Sequence, residues 1–138
     1  MKRSVRMSLL VPLLVAGGSA ASARDGDAAL GLWRNPSDSV HLEAHHCGES
    51  MCGKVVWASE KAIADARRGG TPNLIGLELF HDFRKDRHGR WRGKVFVPDL
   101  NKTFSGTVVR LDANRLKGTG CVLGGVICKS QILTRINP

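Results

Sequence analysis

His41, Glu43 and His45 recur at every second position, so in an extended strand they share one face with about 6.6 Å between neighbours. Imidazole and carboxylate groups in a row are potential metal donors. The run His45-His46-Cys47 to Met51-Cys52 adds soft sulfur of the kind that suits copper. A second chemistry competes for the same atoms. The four cysteines form two close pairs, Cys47 with Cys52 and Cys121 with Cys128. C-x4-C and C-x6-C do not match the usual zinc spacings. Four cysteines allow three connectivities, and the two local pairings are favoured because each brackets a turn signal. A Cys47–Cys52 disulfide would consume both thiolates, so neither metal nor cofactor is expected. Catalytic motifs are missing: there is no G-x-S-x-G, no H-E-x-x-H and no glycine-rich phosphate loop. Asp65, Asp99 and Asp112 are the carboxylates left for acid–base work. Asp99 after Pro98, and Asp112 before Ala113-Asn114, are turn formers, so a hydrolase is the less favoured reading and no enzyme is expected. The densest charge lies in Arg84, Lys85, Arg87, Arg90, Arg92 and Lys94, offset in part by Asp82 and Asp86. A hairpin there would gather cations at one tip, where they either solvate a turn or hold anionic envelope material.

The chain begins with Lys2, Arg3 and Arg6, continues with the apolar run Ser8–Ala16 and ends this stretch on Ala21-Ser22-Ala23. A basic start, a short apolar run and an A-x-A end read as a secretory signal peptide over residues 1–23. The run is shorter than the roughly 20 residues that span a membrane. Residues 24–138 are then expected as one domain in the periplasm or outside the cell, where disulfides persist. The leader carries three of the 21 Lys and Arg and none of the 12 Asp and Glu, so the net charge falls from +9 to +6 over the remaining 115 residues. Aromatic residues are few and Tyr is absent, which leaves no stacking platform for nucleic acid.

Period-two patterns position these groups. Ser39–His46 sets Val40, Leu42 and Ala44 against His41, Glu43 and His45. Leu77–Phe83 sets Leu77, Leu79 and His81 against Glu78, Phe80 and Asp82. Trp91–Val97 sets Trp91, Gly93, Val95 and Val97 against Arg92, Lys94 and Phe96. Lys54–Ala58, Thr103–Leu111, Arg115–Val122, Val126–Ile136 and the segment around Trp33 bring the count to about eight strands. Turn residues separate them, so neighbours pair antiparallel. Ser59–Arg68 alone is a helix candidate, capped by Ser59 and stopped by Gly69-Gly70. Eight antiparallel strands hide their edges best by closing into an up-and-down barrel. Gly93, Gly106 and Gly118 fall in mid-strand, where glycine marks either curvature or space for a ligand.

Two sets of residues carry a family resemblance. Gly31-Leu32-Trp33 resembles the G-x-W motif that opens lipocalin-like (calycin) barrels, in which an Arg near the last strand packs over the Trp; Arg135 is placed for that role. Cys52-Gly53-Lys54-Val55-Val56-Trp57, Ile75-Gly76, Trp91-Arg92-Gly93, Val97-Pro98-Asp99, Gly120 to Gly125 and Ile127 to Gln131 with Thr134-Arg135 follow in order. Together they resemble the bacterial secreted family called domain of unknown function 2147. The resemblance implies an all-β, eight-stranded antiparallel calycin-like barrel closed by Trp33 and Arg135, and no established activity. One departure stands out: the family's Trp just before the Thr-Arg pair is Leu133 here. The function expected is a small binding module holding an apolar or amphipathic ligand, lined by Val95, Val97, Phe104, Val108 and Leu116. The alternative is an adaptor that binds anionic envelope surfaces or a partner protein through the basic hairpin.

Overall fold

The structure, a computed structural model, describes residues 11–13, 17 and 27–136. The leader expected over residues 1–23 falls almost wholly outside them. Eight strands close into an antiparallel barrel in which each strand pairs with its sequence neighbours and the first pairs with the last. They are β1 (Gly31–Arg34), β2 (Val40–Cys47), β3 (Ser50–Ala58), β4 (Glu78–Lys85), β5 (Trp91–Val97), β6 (Lys102–Asp112), β7 (Arg115–Val122) and β8 (Ile127–Arg135). One helix, α1 (Glu60–Arg68), interrupts the succession between β3 and β4. The β1–β8 seam is short: Trp33 pairs with Arg135 and Arg34 with Thr134, so β8 is paired on both sides only near its C-terminal end.

Local chemistry explains the connections. The Asn35 carboxamide oxygen accepts from the backbone N–H groups of Ser39 and Val40, at 2.8 and 3.0 Å, and so holds the β1–β2 turn. The Ser59 hydroxyl accepts from the Ala62 N–H and caps α1. At the other end of α1, Gly69 lies against the Asp99 backbone so closely that no Cβ fits there. The Thr71 hydroxyl donates to the Pro98 carbonyl at 2.8 Å. The β3–β4 crossover is thereby fastened to the β5–β6 turn. Both expected cysteine pairs are in disulfide contact: Cys47 with Cys52 ties β2 to β3, and Cys121 with Cys128 ties β7 to β8. The first strengthens a hairpin that extends further than alternation alone indicates, since β3 starts at Ser50 rather than Lys54.

The strict alternation expected over Leu77–Phe83 does not hold. The β4–β5 register slips by one residue between His81 and Arg84, and Asp82 adopts φ +54° at the slip. A bulge of this kind puts an extra residue on one strand and re-aims those beyond it. As a result Phe80 and Phe83, three positions apart, meet edge-to-face with ring centroids 5.5 Å apart. Phe83 is fully buried and packs with Trp33, Leu42, Met51, Val55, Trp91, Val108, Leu116 and Leu133. That cluster fills one half of the barrel.

Candidate functional site

The barrel has two unlike ends. The β2–β3, β4–β5 and β6–β7 turns gather at one, together with the chain entering β1. The β1–β2 turn, the α1 segment, the β5–β6 turn and the β7–β8 connection gather at the other.

The first end is sealed. Trp33 is 1% exposed and its indole N–H donates to the Ala29 carbonyl at 2.9 Å. The Arg135 guanidinium lies over the Trp33 ring, 4.2 Å from its centroid. It donates to the carbonyls of Ala28, Leu30 and Ala113 at 2.6, 2.8 and 2.9 Å. One cation thus stacks on an aromatic face and satisfies three backbone acceptors at the same time. Gly31 completes the closure. Its φ is +114°, and a Cβ there would sit 2.8 Å from an Arg135 guanidinium nitrogen, so both backbone and space require glycine.

The second end is open, and beneath it lies a cavity of about 540 Å³. Val95, Val97 and Phe104, expected to line the lumen, do line it, together with Leu79, Phe80 and Val122. Val108 and Leu116 do not. The register sets Val108 opposite Trp91 and Leu116 opposite Leu133, at the level of the packed cluster, and both are buried there. Leu42, Phe80 and Leu133 form the floor: they border both the cavity and a residual gap of about 10 Å³ among the packed side chains below. Such a gap holds at most about one water. Leu133, the departure from the family pattern, therefore belongs to the lumen floor and not to the rim. Leu100, Leu123, Val126 and Ile127, in or beside the mouth turns, are exposed apolar side chains.

The glycines of β5, β6 and β7 separate into two kinds. Gly93 and Gly106 pair across β5 and β6. A Cβ at Gly93 would lie 2.5 Å from the His81 carbonyl oxygen and 2.6 Å from the Phe83 ring, and one at Gly106 would strike the Val95 side chain. These positions are already occupied by packing. On β7 a Cβ at Gly118 meets only the Gln131 carbonyl oxygen at 4.0 Å, and at Gly120 it meets nothing within 4 Å. These two border open cavity. Across from them on β8, Gln131 pairs with Gly118 and Lys129 with Gly120. Both share the inward face of Leu133 and line the cavity. Sequence reasoning overlooked Gln131 and Lys129. Their signal was the alternation Ile127, Lys129, Gln131, Leu133, legible only once Leu133 is known to point inward.

The other candidates fall elsewhere. His41 lies 2.7 Å from the Asp38 carboxylate and against the Trp57 ring. His45 instead pairs with Glu78 at 2.9 Å, 33 residues away, so the row does not act as one ligand set. His45, Cys47 and Glu78 do bring donor atoms within 4.8 Å of one another, with the Cys47 sulfur bonded to Cys52. The basic hairpin projects from the sealed end. Asp86 organises its tip, accepting from the N–H groups of His88 and Arg90 and from the side chains of Arg90 and Arg92. The Arg92 guanidinium, ahead of those other donors, holds the Asp86 carboxyl far below its ordinary value. Arg84 approaches Glu49 at 3.9 Å, and the Lys94 ammonium donates to the Ser105 hydroxyl. Lys85 and Arg87 are exposed on either side of Asp86. Asp65 sits on α1, bonded to Lys61 and Arg68; Asp112 ends β6, bonded to Arg115. Both carboxyls are held below the ordinary value, chiefly by the Lys61 and Arg115 hydrogen bonds. Asp99 stands in the β5–β6 turn, so Asp112 is at the opposite end of the barrel from it. No described helix is long and apolar enough to cross a membrane.

No curated protein sequence matches the chain. Among solved structures, a Helicobacter pylori protein described as belonging to the lipocalin family superposes with a TM-score of 0.60 at 13% identity, covering 78% of this chain and 82% of that one. At that identity the likeness is one of fold. The sequence profile of the family described as uncharacterized proteins conserved in bacteria, domain of unknown function 2147, matches residues 31–135. The chain belongs to that family, and its barrel is lipocalin-like.

Proposed function

We propose that the protein is a binding module, exported to the bacterial envelope after loss of residues 1–23, that holds one small apolar or amphipathic molecule in the open half of its barrel. The observation that carries this reading is the cavity of about 540 Å³ between the mouth and the Leu42–Phe80–Leu133 floor. Ligand sites span about 300–1,000 Å³ and are mostly apolar with a few polar groups; this cavity has both properties. An eight-stranded barrel is just wide enough to fill itself or to hold one ligand, and here Gly118 and Gly120 withhold the side chains that would fill it. The two disulfide pairs support the extracytoplasmic setting.

We read the protein as non-catalytic. Asp65 and Asp112 remain ionised through neutral pH and are committed to neighbouring cations, which makes them poor general acids. The adaptor reading is the less supported one, because Asp86 engages two of the hairpin's arginines.

A neutral apolar dye that brightens on leaving water, N-phenyl-1-naphthylamine, tests the carrier reading. Saturable binding to the native protein is expected, and Leu133→Trp, which raises the floor, should weaken it about tenfold or more while the far-ultraviolet spectrum stays that of a β-barrel. Unsaturable binding, or binding indifferent to Leu133→Trp, goes against a lumen site. If instead the protein binds anionic vesicles through Arg87 and loses them at high salt, the adaptor reading takes its place.

A further inference from the structure

We infer that the cavity selects an anionic amphiphile, a single apolar chain ending in a carboxylate or phosphate, and that Lys129 and Gln131 receive its head group. The inference rests on the carrier reading and specifies its ligand. Among the described residues, Lys129 is the one charged side chain lining the cavity, and no Asp or Glu lines it. Among the described residues the Lys129 ammonium and the Gln131 carboxamide have no hydrogen-bond or ion-pair partner. Two other polar residues at the cavity are already engaged, Asn35 in its own turn and the Thr119 hydroxyl with the Ser130 hydroxyl. The polar capacity of the cavity is thus concentrated on one face of β8, and it consists of a cation with a donor–acceptor amide beside it.

Position agrees with that chemistry. Ile127 is at the rim, and at about 3.3 Å per residue Lys129 lies roughly 7 Å below it and Gln131 about as far again. The facing residues on β7 are Gly120 and Gly118, which have no side chains to cover Lys129 and Gln131, both of them exposed. Val95, Phe104 and Phe80 line the apolar remainder. A molecule with its charged head at Lys129 and its chain against these residues matches the polarity of the wall along its length. A charged nitrogen bonded to a carboxylate or phosphate oxygen makes a stronger bond than a neutral pair does. An ammonium without a protein counter-ion also favours an anion over a neutral molecule of the same length.

Calorimetric titration of delipidated protein with dodecanoate, dodecyl phosphate and dodecanol tests this. The native protein should bind at least one of the two anions about tenfold or more tightly than the alcohol, and which one it prefers identifies the head group. Lys129→Met should remove that preference and its salt dependence while leaving dodecanol affinity within about twofold. Gln131→Leu should reduce anion binding by a smaller factor. Equal binding of all three by the native protein, or anion binding indifferent to Lys129→Met, overturns the head-group assignment and leaves the carrier reading standing. Failure of all three to bind, with the neutral dye also excluded, overturns both. A Lys129→Met protein that no longer binds dodecanol either would show a general loss of the lumen; Lys129→Arg must then restore anion preference, and its failure to do so also overturns the assignment.

Discussion

Gly93 and Gly120 stand on different strands of the same barrel wall, face the same lumen, and do opposite things. At Gly93 the missing side chain is replaced by the Phe83 ring and the His81 carbonyl; at Gly120 it is replaced by space. The sealed half is organised as a protein interior. Trp33, Phe83, Val55 and Val108 are its largest fully buried side chains, and little more than one water could enter what remains. The open half has apolar walls, an exposed apolar rim and, among the described residues, one unpaired cation, Lys129. Each half has its own covalent tie, Cys47–Cys52 beside the sealed end and Cys121–Cys128 beside the mouth. A closed barrel need not distribute stability and function evenly. The half that packs leaves the other free to stay empty.

The largest effect should come from breaking the sealed half. Trp33→Ala empties a buried aromatic site, removes the surface on which Arg135 stacks and leaves the Ala29 carbonyl without its donor. Chemical denaturation should show a loss of about 3–5 kcal/mol. A loss under about 1 kcal/mol would mean that the Trp33–Arg135 closure does not organise the barrel.

Side chains added at Gly93 and at Gly120 should have smaller effects, of opposite sign. Gly93→Val forces a side chain into filled space and should cost about 1–3 kcal/mol. Gly120→Val meets nothing, has no left-handed backbone to strain, and should be neutral or stabilising by about 0.5–1 kcal/mol, since glycine is a poor strand residue. Thermal melts of the two variants side by side decide it. Equal destabilisation by both would erase the distinction between the halves.

Much of the barrel is readable from the sequence, because its information is local. Two-residue alternation marks β2 and β5, turn residues mark the connections, and Gly31, Trp33 and Arg135 are joined by a motif and a resemblance. What escapes reading is set by register and by distance along the chain. Phe80 and Phe83 reach the same core only because the bulge at Asp82 slips β4 by one residue, and no alternation rule anticipates a bulge. Val108 and Leu116 do point inward, but depth along the barrel depends on strand pairing, and pairing puts them in the packed half and not along the cavity. Lys129 reads as one more surface lysine until its partner across the strand is known to be Gly120. Glu78 meets His45 across 33 residues, and nothing near either one announces the other.

On the carrier reading, the open half of the barrel is kept empty for a ligand. Native mass spectrometry of the protein purified gently from a bacterial envelope, beside Gly120→Phe prepared in the same way, tests it most directly. A bound lipid-like mass is expected on the native protein, and none on a Gly120→Phe protein that melts at the same temperature or higher. A native protein that carries nothing and still binds no added amphiphile, or a Gly120→Phe protein with undiminished occupancy, would contradict it.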